Sequence, residues 1–219
     1  MYLKVNGIYY QYDKRDLILE DINLQAKRGE ICSIQGDNGC GKTTLLKLIA
    51  GLLTPDKGTI MYKNNNADTM SYKEVMAYIP TEPYIFDMLT GTEHALLCVD
   101  LWSMHDFKSR YLDYFYMLCE ELHILEHLPK KLCECSYGTK YKIYLATMFA
   151  RRPELVIMDE PFTSMDTESR MFMIHYLKEL SKDIIVIFTS HQQNTINQLS
   201  NYKYIIKNRK LTIKEGENL

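Results

Sequence analysis

Gly36-Asp37-Asn38-Gly39-Cys40-Gly41-Lys42-Thr43 satisfies G-x-x-x-x-G-K-[ST], a spacing suited to wrapping backbone N–H groups around phosphate. Gly36, Gly39 and Gly41 leave no side chain in the way. Lys42 can then reach the β- and γ-phosphates of a nucleotide, and the Thr43 hydroxyl can ligate Mg²⁺. A helix opening at Lys42 would point its positive N-terminal dipole at the same anion. Far downstream, the apolar run Leu155–Met158 ends in Asp159-Glu160, two carboxylates at the carboxyl end of a buried strand. In a P-loop protein this is the Walker B arrangement: Asp159 holds Mg²⁺ and Glu160 acts on the attacking water. A second apolar run, Ile184–Thr189, ends in Ser190-His191. Ligands bind outside the carboxyl ends of strands in open α/β sheets, which puts His191 within reach of the γ-phosphate.

These residues need a parallel sheet beneath them, and the chain supplies its strands. Ile31–Ile34 precedes the P-loop, and Thr44–Ile49 follows with helical spacing that Gly51 ends. Tyr2–Glu30 reads as strands around a charged turn at Asp13-Lys14-Arg15-Asp16, with Tyr9, Tyr10 and Tyr12 crowding that turn. An aromatic ring there can pack in the core or stack on adenine. A turn at Thr54–Gly58 leads to the strand-like T-I-M-Y, the segment N-N-N-A-D-T reads as a polar loop, and E-V-M-A-Y-I is a short strand stopped by two prolines. Residues 91–130 carry apolar positions at helical spacing, including the aromatic stripe Trp102, Phe107, Tyr111, Tyr114 and Phe115, expected in a core. Helical patterns return after Gly138 and over 168–181, and the chain closes on a hairpin and a polar tail. The expected fold is α/β: a P-loop NTPase core with a mainly parallel sheet, an N-terminal antiparallel β subdomain and an inserted helical subdomain. One ATP-binding domain would span 1–219, divided as 1–90, 91–150 and 151–219.

Composition narrows the partners. The chain has 219 residues and a net charge of −2 with its basic residues scattered, which gives no electrostatic footprint for nucleic acid. No apolar run nears the roughly 18 residues of a spanning helix, and the N-terminus lacks the apolar segment of a signal peptide. The expectation is a soluble, cytoplasmic chain whose six cysteines are free thiols. Cys119, His123 and His127 recur at i, i+4 and i+8, with Cys133 and Cys135 beyond, but this spacing matches no standard metal site.

With these residues in view, the chain resembles the ATP-binding subunit of an ABC transporter over nearly its whole length. Tyr12 matches the adenine-stacking aromatic, Gly36–Thr43 Walker A, Leu155–Glu160 Walker B, Ser164-Met165-Asp166 the D-loop and His191 the switch histidine. Cys135-Ser136-Tyr137-Gly138-Thr139 matches the L-S-G-G-Q signature as a variant, keeping the serine and second glycine. The resemblance implies a nucleotide site formed by Tyr12, Gly36, Asn38, Gly39, Cys40, Gly41, Lys42, Thr43 and Thr44. Ser136, Gly138 and Asp166 would complete the site of a second ATPase subunit, identical or different, in a head-to-tail dimer. It also implies a transmembrane partner, a place on the inner face of the membrane, and catalytic roles for Lys42, Glu160 and His191. Two departures stand out. Tyr137 and Thr139 replace a glycine and a glutamine of the signature, and Thr81 falls where the family has its Mg²⁺-facing Q-loop glutamine.

The wording I-P-T-E-P-Y-I-F-D-M-L-T-G is similar to exporters of antibiotics and bacteriocin peptides. DNA-maintenance and ribosome-acting relatives need long coiled coils or tandem ATP-binding domains, and neither pattern is present. A slow or non-hydrolysing regulatory protein is the alternative that Thr81 favours, against intact Lys42, Asp159, Glu160 and His191.

Overall fold

The computed structural model describes residues 2–13 and 16–213, so Lys14 and Arg15 of the charged turn, and the polar tail, lie outside the described residues. The chain runs β1 (Tyr2–Gln11), β2 (Leu17–Lys27), β3 (Ile31–Gln35), α1 (Lys42–Ile49), β4 (Lys57–Tyr62) and β5 (Asn65–Asn66). It continues through α2 (Met70–Val75), β6 (Met76–Ile79), α3 (Gly91–Leu101), α4 (Lys108–Glu121), α5 (Tyr137–Ala150) and β7 (Leu155–Met158). Then come α6 (Thr167–Ser181), β8 (Ile185–Thr189), α7 (Gln193–Leu199), β9 (Tyr202–Lys207) and β10 (Lys210–Ile213).

Two sheets organise these elements. An antiparallel sheet has the order β2-β1-β4-β5, and a six-stranded sheet has the order β10-β9-β3-β8-β7-β6, parallel except for the closing hairpin. Strands buried on both faces divide their side chains between two cores. Val156, Met158, Val186 and Phe188 face α3 to α6, whereas Leu155, Ile157, Ile185 and Ile187 face α1 and the antiparallel sheet. The expected helical insertion is therefore continuous with the first of these cores: Ala95, Phe115, Leu118 and Phe149 pack in one cluster with the strands. Burying Phe115, Leu118 and Phe149 contributes about 1.5–3 kcal/mol each.

The sequence reading needs correction in several places. Glu74 and Val75, read as opening a strand, instead close the helix Met70–Val75, which Thr69 caps by accepting from the Tyr72 N–H, and the buried Tyr72 hydroxyl donates to the Ile49 carbonyl. Asn65-Asn66 pairs with Met61 and Tyr62 rather than looping free, and the short α7 had no apolar pattern long enough to mark it. In the aromatic stripe Tyr111 and Phe115 are buried, but Phe107 is 62% exposed. Of the cysteine and histidine spacing, Cys119 is buried in the core and His123 meets Glu168, and no three such ligands converge among the described residues.

Two polar devices join the layers. Arg151, just past α5, is largely buried, stacks 3.5 Å from the Trp102 ring centroid, and donates to the carbonyls of Lys73, Glu74 and Met76. Its guanidinium ties the end of α3 to the junction of α2 and β6. Asp166 caps α6, accepting from the Ser169 N–H and hydroxyl at 2.9 Å each, and pairs with Lys142 of α5 at 2.5 Å. The Lys142 hydrogen bond, and then the Ser169 N–H, hold the Asp166 carboxyl well below the usual carboxylate range. Because the folded value is depressed, this stabilisation is present above the ordinary value of about 3.9 and fades as pH falls toward the lower folded one. Asp166→Ala is expected to cost about 1–2 kcal/mol at pH 7, discounted for the exposed carboxylate, with a smaller loss at pH 3. Urea unfolding at both pH values checks it, and an equal loss at both would contradict the ion-pair contribution.

Candidate functional site

The site begins where β3 gives way to α1. Gly36 has φ +146°, and a Cβ there would lie 2.6 Å from Cys40 Sγ and 2.7 Å from the Ile206 carbonyl oxygen. Gly41, at the N-cap of α1 with φ +107°, would press a Cβ against Ile18 and Leu19 at 3.1 and 3.0 Å. Positive φ and close approach together require glycine at both positions. The loop curls back, so that the Lys42 ammonium, mostly buried, donates to the carbonyls of Gly36 and Asp37 at 2.9 and 3.0 Å.

The neighbouring strands bring their carboxyl ends to the same place. A cleft of about 450 Å³ is lined by Tyr12, Ile18, Asn38, Gly39, Gly41, Lys42, Thr43, Thr44, Thr81, Asp159, Glu160 and His191. That volume lies in the range of small-molecule sites. Thr43 Oγ1 donates to Asp159 Oδ2 at 2.7 Å, bringing a hydroxyl and a carboxylate together as hard oxygen donors. Thr81 Oγ1 donates to the Asp159 carbonyl at 3.2 Å. Of the three crowded tyrosines only Tyr12 lies on the cleft, 44% exposed, its hydroxyl 3.2 Å from Thr44 Oγ1; Tyr10 is core and meets its ring edge-on.

Glu160 is the most constrained residue of the group. Its φ of +50° lies in the left-handed region, a strain of about 1–3 kcal/mol for a non-glycine residue. Its Oε2 accepts from the His191 N–H at 3.2 Å, while Oε1 is buried without a hydrogen bond, 3.4 Å from His191 Nε2. Burial pushes the Glu160 carboxyl above the ordinary carboxylate range and Asp159 adds to the rise, against the pull of His191 and Lys42. A carboxylate so placed is suited to taking a proton.

Comparison with known families assigns residues 19–163 to the family described as ABC transporter. The chain belongs to this family. It is the ATP-binding, ATP-hydrolysing subunit of an ABC transporter. The SkfA peptide export ATP-binding protein SkfE of Bacillus subtilis is 29% identical over 195 residues, 88% of this chain and 80% of its own. An uncharacterized ABC transporter ATP-binding protein of Methanocaldococcus jannaschii is 32% identical, covering 85% and 86% of the two chains. Mouse glucosylceramide transporter ABCA12 is 27% identical over 90% of this chain, which spans 8% of that protein's length. A solved ATP-binding subunit of an ABC transporter superposes with a TM-score of 0.90 at 27% identity, over 98% of this ABC ATPase and 90% of its own chain.

Five residues expected at a nucleotide do not line this cleft: Gly36, Cys40, Ser136, Gly138 and Asp166. Ser136 caps α5, accepting from the Thr139 N–H at 3.2 Å. Tyr137, where the family has glycine, donates its hydroxyl to the Thr81 carbonyl at 2.7 Å and stacks near Tyr141. A Cβ at Gly36 would collide with Cys40 Sγ, so these two residues of the loop face each other away from the cleft. Sequence reading missed Ile18, which carries no chemical signal, and Thr189. The signal for Thr189 is a polar residue closing an otherwise apolar strand.

Proposed function

We propose that this ABC ATPase holds Mg-ATP in the cleft between Tyr12 and the P-loop, works as a head-to-tail dimer, and drives a separate membrane subunit. The carrying observation is the division of phosphate-facing groups. Lys42, Thr43, Asp159, Glu160 and His191 share one cleft, while Ser136 and Gly138 present the N-terminus of a 14-residue helix outside it. In this reading that helix N-terminus serves another chain's nucleotide.

In this reading Tyr12 stacks on adenine, and Lys42 with the P-loop N–H groups binds the phosphates. Thr43 and Asp159 fit Mg²⁺ as oxygen donors, and the bound ion would neutralise charge on the β- and γ-phosphates. Glu160 takes the proton of the attacking water, and His191 hydrogen-bonds the γ-phosphate. Thr81 reaches a metal only if its hydroxyl leaves the Asp159 carbonyl, which favours slow turnover as a second reading.

Just beyond Thr81, exposed Tyr84, Phe86 and Met88 follow one another, with Tyr84 80% exposed and its ring edge-on to Phe86. Monomeric surfaces seldom leave such groups bare, and we assign this patch to the membrane subunit. No helix among the described residues is long and apolar enough to cross a membrane itself. In this reading the chain sits peripherally on the cytoplasmic face, held by that subunit. Peptide or antibiotic export is the cargo reading, supported by the likeness to SkfE.

Complementation tests the dimer. Lys42→Ala and Ser136→Arg should each abolish phosphate release. An equal mixture should regain roughly a quarter of wild-type turnover, because half of the randomly paired dimers are mixed and each carries one intact site of two. A mixture as inactive as its components would overturn the sandwich of two copies of this chain.

A further inference from the structure

Thr189 ends β8 with no exposed surface, and its hydroxyl is used twice. It donates to Asp159 Oδ1 at 2.7 Å and accepts from the Glu160 N–H at 2.9 Å. The other oxygen of Asp159 takes the Thr43 hydroxyl, also at 2.7 Å. One carboxylate is thus gripped from two sides, by the helix that follows the P-loop and by the strand that carries His191. The same strand end holds Glu160 at both of its ends: Thr189 takes its backbone N–H, and the His191 N–H reaches its carboxylate.

We infer that Thr189 is a positioning residue for hydrolysis, setting the rotamer of Asp159 and the left-handed backbone of Glu160 through one hydroxyl. This rests on the reading of Asp159 and Glu160 proposed above. A buried threonine could instead be packing whose hydroxyl happens to be satisfied, but two features argue against that. Among the described residues, no other side chain donates to Asp159 Oδ1. Glu160 also needs restraint against its unfavourable φ, and its N–H has this one partner. A valine of nearly the same shape would leave a carboxylate oxygen and an N–H unpaired in the interior, and the carboxylate free to turn. A threonine at the end of β8 therefore acts on the metal-facing group without touching nucleotide or metal.

Thr189→Val, Thr189→Ser and Thr189→Ala separate positioning from packing. For each, kcat and KM for ATP are measured beside Mn²⁺ affinity in the presence of AMP-PNP, read as free Mn²⁺ by electron paramagnetic resonance. Thr189→Val is expected to lower kcat about 10- to 100-fold and weaken Mn²⁺ about 10-fold, with KM for ATP within about twofold of wild type. Thr189→Ser should recover both to within about threefold, and Thr189→Ala, which differs from serine only in lacking the oxygen, should not. Serine and alanine variants that behave alike, or a valine variant with wild-type kcat and Mn²⁺ affinity, would overturn the inference, and the serine–alanine pair decides even where valine prevents folding. Glu160→Gln run alongside distinguishes the two levels: wild-type hydrolysis there sinks the reading of the site itself, whereas a hydrolysis-dead Glu160→Gln beside an unimpaired Thr189→Val sinks only the role of Thr189.

Discussion

Glu160→Gln is expected to lower phosphate release by at least about 100-fold while ATP still binds, the range for losing a general base. Glutamine fills the same space and can still accept from the His191 N–H, so the binding cleft keeps its shape. With hydrolysis stopped and Mg-ATP present, size exclusion should resolve a species of twice the monomer mass that is absent without nucleotide. Turnover within about threefold of wild type would remove Glu160 from the chemistry. The same variant carries a stability signature. Burial raises the Glu160 carboxyl above its unfolded value, so its ionised form is costlier in the fold than in the unfolded chain. That cost is absent below the ordinary glutamate value of about 4.3 and grows as pH rises through the window up to the raised one. Without nucleotide, the glutamine variant should therefore melt above wild type at pH 8, and the gap should close at pH 4. A wild-type chain that melts higher at pH 8 would contradict the sign of the shift.

The second large effect is on stability. Arg151→Ala is expected to lose about 3 kcal/mol, because three carbonyls near the end of α2 lose their donor and a cavity opens against Trp102. Arg151→Lys should recover little of it. A lysine ammonium cannot lie flat on the indole while donating in several fixed directions, as the planar guanidinium does. Urea unfolding of both variants checks this, and a loss under about 0.5 kcal/mol for alanine would show the tie to be dispensable, as many surface substitutions are.

How much of this could be seen in the sequence follows from how local each interaction is. The P-loop is contiguous, so its residues were identifiable one by one, and Asp159, Glu160 and His191 were legible because buried strands announce themselves by apolar runs and ligands gather at their carboxyl ends. The helix α2 was not legible: its six residues are too few for a period, and the apolar positions of Val75 and Met76 run across the helix–strand junction. Thr189 acts on residues of a neighbouring strand about thirty positions away, a register fixed by sheet pairing rather than by spacing. Phe107 belonged to the right periodicity but lies between α3 and α4, where the helical face no longer governs exposure. Tyr137 looked like a defect in the signature, and only the folded chain shows its hydroxyl engaged.

That engagement bears on how two distant binding events speak to each other. Thr81 lines the chain's own cleft, and Tyr137 begins the helix whose end, in the proposed sandwich, meets the nucleotide of the other subunit. One hydrogen bond within a single chain thus connects a local reporter to a remote one. By linkage, if ATP in the first chamber shifts Thr81 and thereby alters affinity at the second, ATP in the second alters affinity at the first by the same factor. In that proposed sandwich, tyrosine in place of glycine would make the signature a two-way conversation between the chambers, where a glycine would leave it with no side chain through which to take part.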